Sequence, residues 1–157
     1  MTQQAKRVQA GFTLLEMLVV IAILGILSGV MTFNLLGNLR RTEVRNAAAQ
    51  VMADLRLARV NAQKTGLVSP VTIVNGTGGY AAQTNAGAVQ IKTLENGVTL
   101  WATTSTNGFQ VAYRPPFGTL DSIGLVWEVR SRVAQVPSLY IKVVGVTGKV
   151  MLSGSRD

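Results

Sequence analysis

Between Glu16 and Arg40 the chain runs for 23 residues, Met17 to Leu39, without one charged side chain, and Phe12 to Leu15 extend the apolar character ahead of Glu16. As an α-helix such a run is about 35 Å long, enough to cross a bilayer core of roughly 30 Å. A cleavable secretory signal would have an apolar region of about 7–15 residues and a small-residue cleavage site behind it. This run is longer, so it reads as a membrane anchor over 12–39. Lys6 and Arg7 precede it while Arg40, Arg41 and Arg45 follow it, so the excess of basic residues on the cytoplasmic side does not decide the orientation.

The rest of the composition closes off most chemistry. Among 157 residues there is no His and no Cys, which removes imidazole acid/base catalysis, cysteine nucleophiles, Ser-His-Asp triads and the usual zinc sites. Only isolated carboxylates or a Ser-Lys pair would remain, and no spacing suggests either. No catalytic residue, metal ligand or cofactor site is therefore expected. The charge is strongly positive, 15 Lys and Arg against 7 Asp and Glu for a net +8, a balance that favours anionic partners or surfaces.

Glu16 is the anomaly in the apolar run. A carboxylate near the start of a membrane helix is costly unless it reaches the interface or finds a cation. Its surroundings, Lys6-Arg7-Val8-Gln9-Ala10-Gly11 and then Phe12-Thr13-Leu14-Leu15-Glu16-Met17-Leu18-Val19-Val20, resemble the class III signal of the type IV pilins and pseudopilins. The resemblance implies that residues 1–11 form a leader cut after Gly11 by a prepilin peptidase. It implies too that Phe12 becomes the methylated amino terminus, and that Glu16 serves filament assembly. An ammonium at Phe12, one helical turn from Glu16, would relieve the desolvation of that carboxylate within one helix or between neighbours. Gly25 and Gly29 form a G-x-x-x-G that allows close helix approach in lipid.

Beyond the run the helix is expected to continue. Val44, Ala48, Val51, Leu55, Ala58 and Ala62 fall in alternating steps of four and three residues, one stripe of a helix facing a core. Lys64-Thr65-Gly66 supplies a basic last turn and a left-handed cap. At about 100° per residue, Arg41, Arg45, Arg56 and Arg59 share one sector and form a basic ridge, with Glu43 and Asp54 on the far side. After Gly66 the chain turns to short β-like runs: 71–74, 89–94, 98–101, 109–113, 123–129, 139–144 and 150–152, separated by Gly, Asn and Pro signals. The glycine-rich 75–79 lacks the Gly-Lys-Ser/Thr ending of a phosphate loop and reads as a hairpin turn. The expected fold is α+β, a long N-terminal transmembrane α-helix packed on a C-terminal antiparallel β-sheet domain over 40–157.

Asp54-Leu55-Arg56-Leu57-Ala58-Arg59-Val60-Asn61-Ala62-Gln63-Lys64-Thr65-Gly66 is similar to the helix-end signature of GspH/FimT pseudopilins, L-R-x-A-R-x-x-A-x-x-x-x-G. Tyr113-Arg114-Pro115-Pro116-Phe117-Gly118 resembles their F-x-P-x-G segment, with Tyr for Phe and one additional residue. Gly148-Lys149-Val150-Met151-Leu152 stands where that family often ends in a Gly-Arg-rich strand. The resemblance implies a minor subunit of a type IV pilus or type II secretion pseudopilus near the filament tip. It would be a single-pass inner-membrane protein with its leader in the cytoplasm and its sheet domain in the periplasm, and its partners would be other pilins, the prepilin peptidase and membrane lipid. The alternative is DNA capture for natural transformation. Residues 40–157 carry 13 basic and 6 acidic side chains, and Arg41, Arg45, Arg56, Arg59, Lys142 and Lys149 are the candidate polyanion ligands. Against it, Met151 stands where the DNA-binding members of that family have a second basic residue.

Overall fold

The fold comes from a computed structural model that describes residues 12–84, 87–103, 109–121 and 123–157, the side chains of 30–34 excepted. Gly11 and the rest of the expected leader lie outside the described residues. The chain divides into two compact units between Leu36 and Gly37. One helix, α1 (Leu14–Thr65), contributes to both.

In the first unit, the apolar side chains described along α1 are exposed all round the helix, Leu14, Ile21, Leu24 and Leu27 among them. A helix that is apolar on every face is suited to lipid or to other helices rather than to one buried stripe. Among the described residues no helix is long and apolar enough to cross a membrane. The anchor expected over 12–39 includes residues 30–34, whose side chains lie outside the description.

The second unit is a helix and two sheets around one core. The expected stripe is buried without exception: Ala48, Val51, Leu55, Ala58 and Ala62 are fully inaccessible and Val44 nearly so. Ala47 and Met52 widen it, so that α1 presents a broad apolar face rather than a single line. The helix closes at Thr65, where the Gly66 N–H bonds the Ala62 carbonyl at 3.2 Å and Gly66 takes φ +67°, the expected left-handed cap.

Eight strands follow: β1 (Ser69–Ile73), β2 (Gly79–Gln83), β3 (Val89–Thr93), β4 (Thr99–Ala102), β5 (Gln110–Tyr113), β6 (Gly124–Arg130), β7 (Leu139–Val144) and β8 (Val150–Ser153). They form two four-stranded antiparallel sheets, in the orders β3-β2-β1-β5 and β4-β6-β7-β8. The chain therefore leaves the first sheet for β4, returns for β5 and leaves again. The sequence reading anticipates antiparallel strands but not their division between two sheets, and it passes over β2. That strand begins on a glycine and carries two alanines, poor strand formers, yet its alternation puts Tyr80 and Ala82 inward. Residues 75–78 form the turn between β1 and β2, as expected of the glycine-rich segment. Alternation likewise sends Leu125, Trp127 and Val129 of β6 and Ile141 and Val143 of β7 into the core, with Trp127 fully buried.

One polar cluster is let into the helix–sheet core. Asp54 of α1 accepts a hydrogen bond from the Tyr80 hydroxyl at 2.6 Å and pairs with the Lys92 ammonium at 2.7 Å. Gln50 donates to the same hydroxyl at 3.0 Å. Burial, and then the Asp54 carboxylate, push the Tyr80 phenol well above its ordinary value, so it remains a donor. Asp54 is only 7% exposed, and removing it would strand both Tyr80 and Lys92. Asp54→Ala should destabilise the fold by about 3 kcal/mol, the low end for a broken buried pair because Lys92 keeps partial access to water. Asp54→Asn should cost less, because it still accepts from Tyr80. Chemical denaturation of the two variants followed by circular dichroism measures the difference.

Candidate functional site

The expected site residues fall in separate places. Phe12 and Glu16 lie at the start of α1, both exposed. The Thr13 hydroxyl accepts the Glu16 backbone N–H at 3.2 Å, so Thr13 is the helix N-cap and Glu16 its third residue. Thr13-Leu14-Leu15-Glu16 is thus the spacing of a capping box, a local signal the sequence reading did not use. It gives Glu16 a position at the positive end of the helix dipole that needs no partner subunit. Gly25 and Gly29 have open space on the side where a β-carbon would stand, as does Gly37, so nothing among the described residues makes use of the close approach they permit.

The six candidate polyanion ligands are divided among three places. Arg41 and Arg45 line a cavity of about 530 Å³ with Asn38, Thr42, Val44, Pro137 and Leu139. Lys142 stands across from Met151 on β7, and its ammonium donates to the Asp157 carbonyl. Arg56, Arg59 and Lys149 come together around a groove of about 410 Å³ whose other walls are Val60, Gln63, Gly148 and Val150. The four arginines expected to form one ridge thus line two different cavities.

The groove lies where the turn before β8 packs on the turn at Gly118, which itself lies against the last turns of α1. Gly148, at φ +62°, has no room for a side chain: a β-carbon there would come to 2.8 Å of the Tyr113 ring and 2.9 Å of the Gly118 carbonyl. At Gly118 a β-carbon would reach 2.6 Å of Arg59 Cγ. Gln63 donates to the Phe117 carbonyl at 2.9 Å, which fastens this turn to the helix. The Arg59 stem is thereby clamped with its Nε enclosed and without a hydrogen-bond partner, and the buried Tyr113 hydroxyl also lacks one. Burial pushes the Tyr113 phenol up to about 12, against the pull of the Arg59 guanidinium.

Both the exposed apolar part of α1 and the helix-and-sheet unit have counterparts among known proteins. Residues 6–32 match the model of the prokaryotic N-terminal methylation motif. The chain is 48% identical over 48 residues to type II secretion system core protein G of Aeromonas hydrophila, covering 31% of this chain and 34% of that protein. The same protein of Dickeya chrysanthemi is 44% identical over 48 residues, 31% of each. These matches span only about a third of the length of those relatives. The crystal structure of the type IV minor pilin FimU of Pseudomonas aeruginosa superposes with a TM-score of 0.57 at 14% identity, covering 72% of this chain and 90% of that one. At its N-terminus the chain is similar to type IV pilins and pseudopilins. Its fold is that of a minor pilin.

Tyr113 provides a test of the packing behind the groove. A phenol whose value is raised on folding contributes stability that is complete below its ordinary value of 10.0 and lost as the pH rises towards about 12. Melting temperature should therefore fall between pH 10 and 12. Tyr113→Phe should make that fall shallower, and at pH 7 should leave stability within about 1 kcal/mol of the parent or above it, since the hydroxyl it removes has no partner. Thermal melts of the full chain in detergent across this range decide both points.

Proposed function

We propose that the protein is a minor pilin or pseudopilin of the GspH/FimT type, a structural subunit that helps to prime or cap a filament and carries no catalysis of its own. The observation that supports this most is the methylation motif over 6–32 leading into a helix whose apolar side chains have no cover within the chain. On this reading the prepilin peptidase cuts after Gly11 and Phe12 becomes the methylated terminus. The helix then anchors the subunit in the inner membrane as a single pass, with 40–157 in the periplasm, and Gly25 and Gly29 allow neighbouring helices to approach. Glu16 pairs with the amino terminus of a neighbouring subunit while its backbone is held by Thr13. DNA capture, the other reading of the basic residues, is less well served. Arg41, Arg45, Arg56, Arg59, Lys142 and Lys149 occupy three separate places and make no continuous track for a phosphate backbone.

Two experiments test the assembly reading. Intact-mass and N-terminal analysis of protein extracted from cells that express the peptidase should give a methylated chain beginning at Phe12; a start at Met1 rejects the processing step. Glu16→Ala should leave membrane insertion intact, because removal of a charge eases entry into lipid, yet reduce co-purification with partner pilins several-fold. Glu16→Gln separates the two roles, since it keeps a side chain able to serve the capping box while losing the charge. Recovery of assembly with Gln would assign Glu16 to the cap and remove the charge pairing.

A further inference from the structure

Arg56, Arg59 and Lys149 lie around one groove, and no carboxylate of the described residues is paired with any of them. The carboxylates that form ion pairs are committed elsewhere: Glu43 to Arg40, Asp54 to Lys92, Asp121 to Arg114 and Glu128 to Arg130. Arg59 is moreover unlike a solvated surface arginine. Its stem is clamped by the turn at Gly118, and its Nε is enclosed without a partner, a desolvation that nothing among the described residues repays. Between the three cations the groove is lined by Val60, Gln63, Gly148 and Val150, of which Val60 is the exposed apolar side chain.

Shape and chemistry decide which anion suits this arrangement. Duplex DNA carries one charge per about 1.7 Å of axis on a convex, stiff surface, and rewards a long track of cations. Three cations about a recess of about 410 Å³ make no such track. A polypeptide holds its carboxylate on a short stem between other side chains, so the acid can reach a recessed guanidinium while apolar neighbours cover Val60. A carboxylate also takes an arginine fork through two parallel hydrogen bonds. We propose that this groove docks an acidic segment of a neighbouring pilin subunit, with Asp or Glu carboxylates on Arg56, Arg59 and Lys149 and apolar side chains on Val60. The proposal rests on the filament-subunit reading and adds to it a second contact, made by the end of α1 and the turn before β8 rather than by the exposed first part of the helix.

Photocrosslinking in the producing cell tests it on the full chain. The probe is p-benzoylphenylalanine, placed in one variant at Val60 on the groove and in another at Val20 on the exposed N-terminal helix. Val60→p-benzoylphenylalanine should crosslink to another pilin, at a peptide that contains Asp or Glu. Adding Arg56→Glu and Lys149→Glu should lower that yield at least tenfold while the Val20 crosslink and the melting temperature stay unchanged. Converting the mapped partner acid to Lys should restore it. The proposal is overturned if the Val60 probe stays silent while Val20 crosslinks, if it maps to a segment without acids, if the charge reversals leave its yield unchanged, or if it captures nucleic acid or lipid instead. Silence at both positions overturns the filament-subunit reading and the groove assignment with it.

Discussion

The sheet domain depends on the packing of the second half of α1 into the core that it shares with both sheets. Six small or branched residues, Val44, Ala48, Val51, Leu55, Ala58 and Ala62, are almost wholly removed from water along this face. The alanines matter as much as the larger residues, because they let the helix backbone come near the strands while Leu55 and Trp127 fill the space between. The same helix carries both the assembly motif at its start and two cations of the groove near its end. Geometry at one end is thus fixed by core packing, whereas at the other end only Thr13 holds the first turn.

What the sequence reveals depends on the range of the interactions involved. The helical stripe and its glycine cap are local and periodic, so they can be read residue by residue, and the motif from Lys6 to Val20 is equally compact. The strands are located to within one or two residues where β-branched side chains alternate, as at Ile123 to Val129 and Leu139 to Val144. β2 escapes because Gly79, Ala81 and Ala82 carry little strand preference, and its place is secured by pairing on both sides, with β1 and β3. The division into two sheets is invisible for the same reason: which strand pairs with which is decided by contacts far apart in the chain. The groove shows this most sharply. Arg56 and Arg59 sit on a helix and Lys149 comes some ninety residues later, and only the close approach at Gly148 and Gly118 unites them while leaving Arg41, Arg45 and Lys142 elsewhere.

Glu16 shows how one residue can satisfy two demands at different stages. As the third residue of a capped helix it belongs to the first turn before any partner is present. A carboxylate at that point also lies about one helical turn from the place where a new amino terminus at Phe12 would arise. Local helix chemistry and intersubunit pairing are therefore compatible at this position, and a spacing fixed by the capping motif would keep the charge at a constant height along the helix.

The path of the chain between the sheets has a consequence for when the domain can become complete. β1, β2 and β3 pair with their sequence neighbours, but β4 finds its partner in β6, beyond the excursion to β5. Until residues as late as Arg130 have emerged, β4 has no strand to lie against, and β7 and β8 must add to β6 in turn. Long-range pairing of this kind slows folding, because loops must close before the contacts that reward closure can form. A subunit still being delivered across a membrane would hold a formed helix and hairpins but an open second sheet. Its last strand, which follows Lys149, would complete both that sheet and the basic groove, so the docking surface would arise only on a finished subunit.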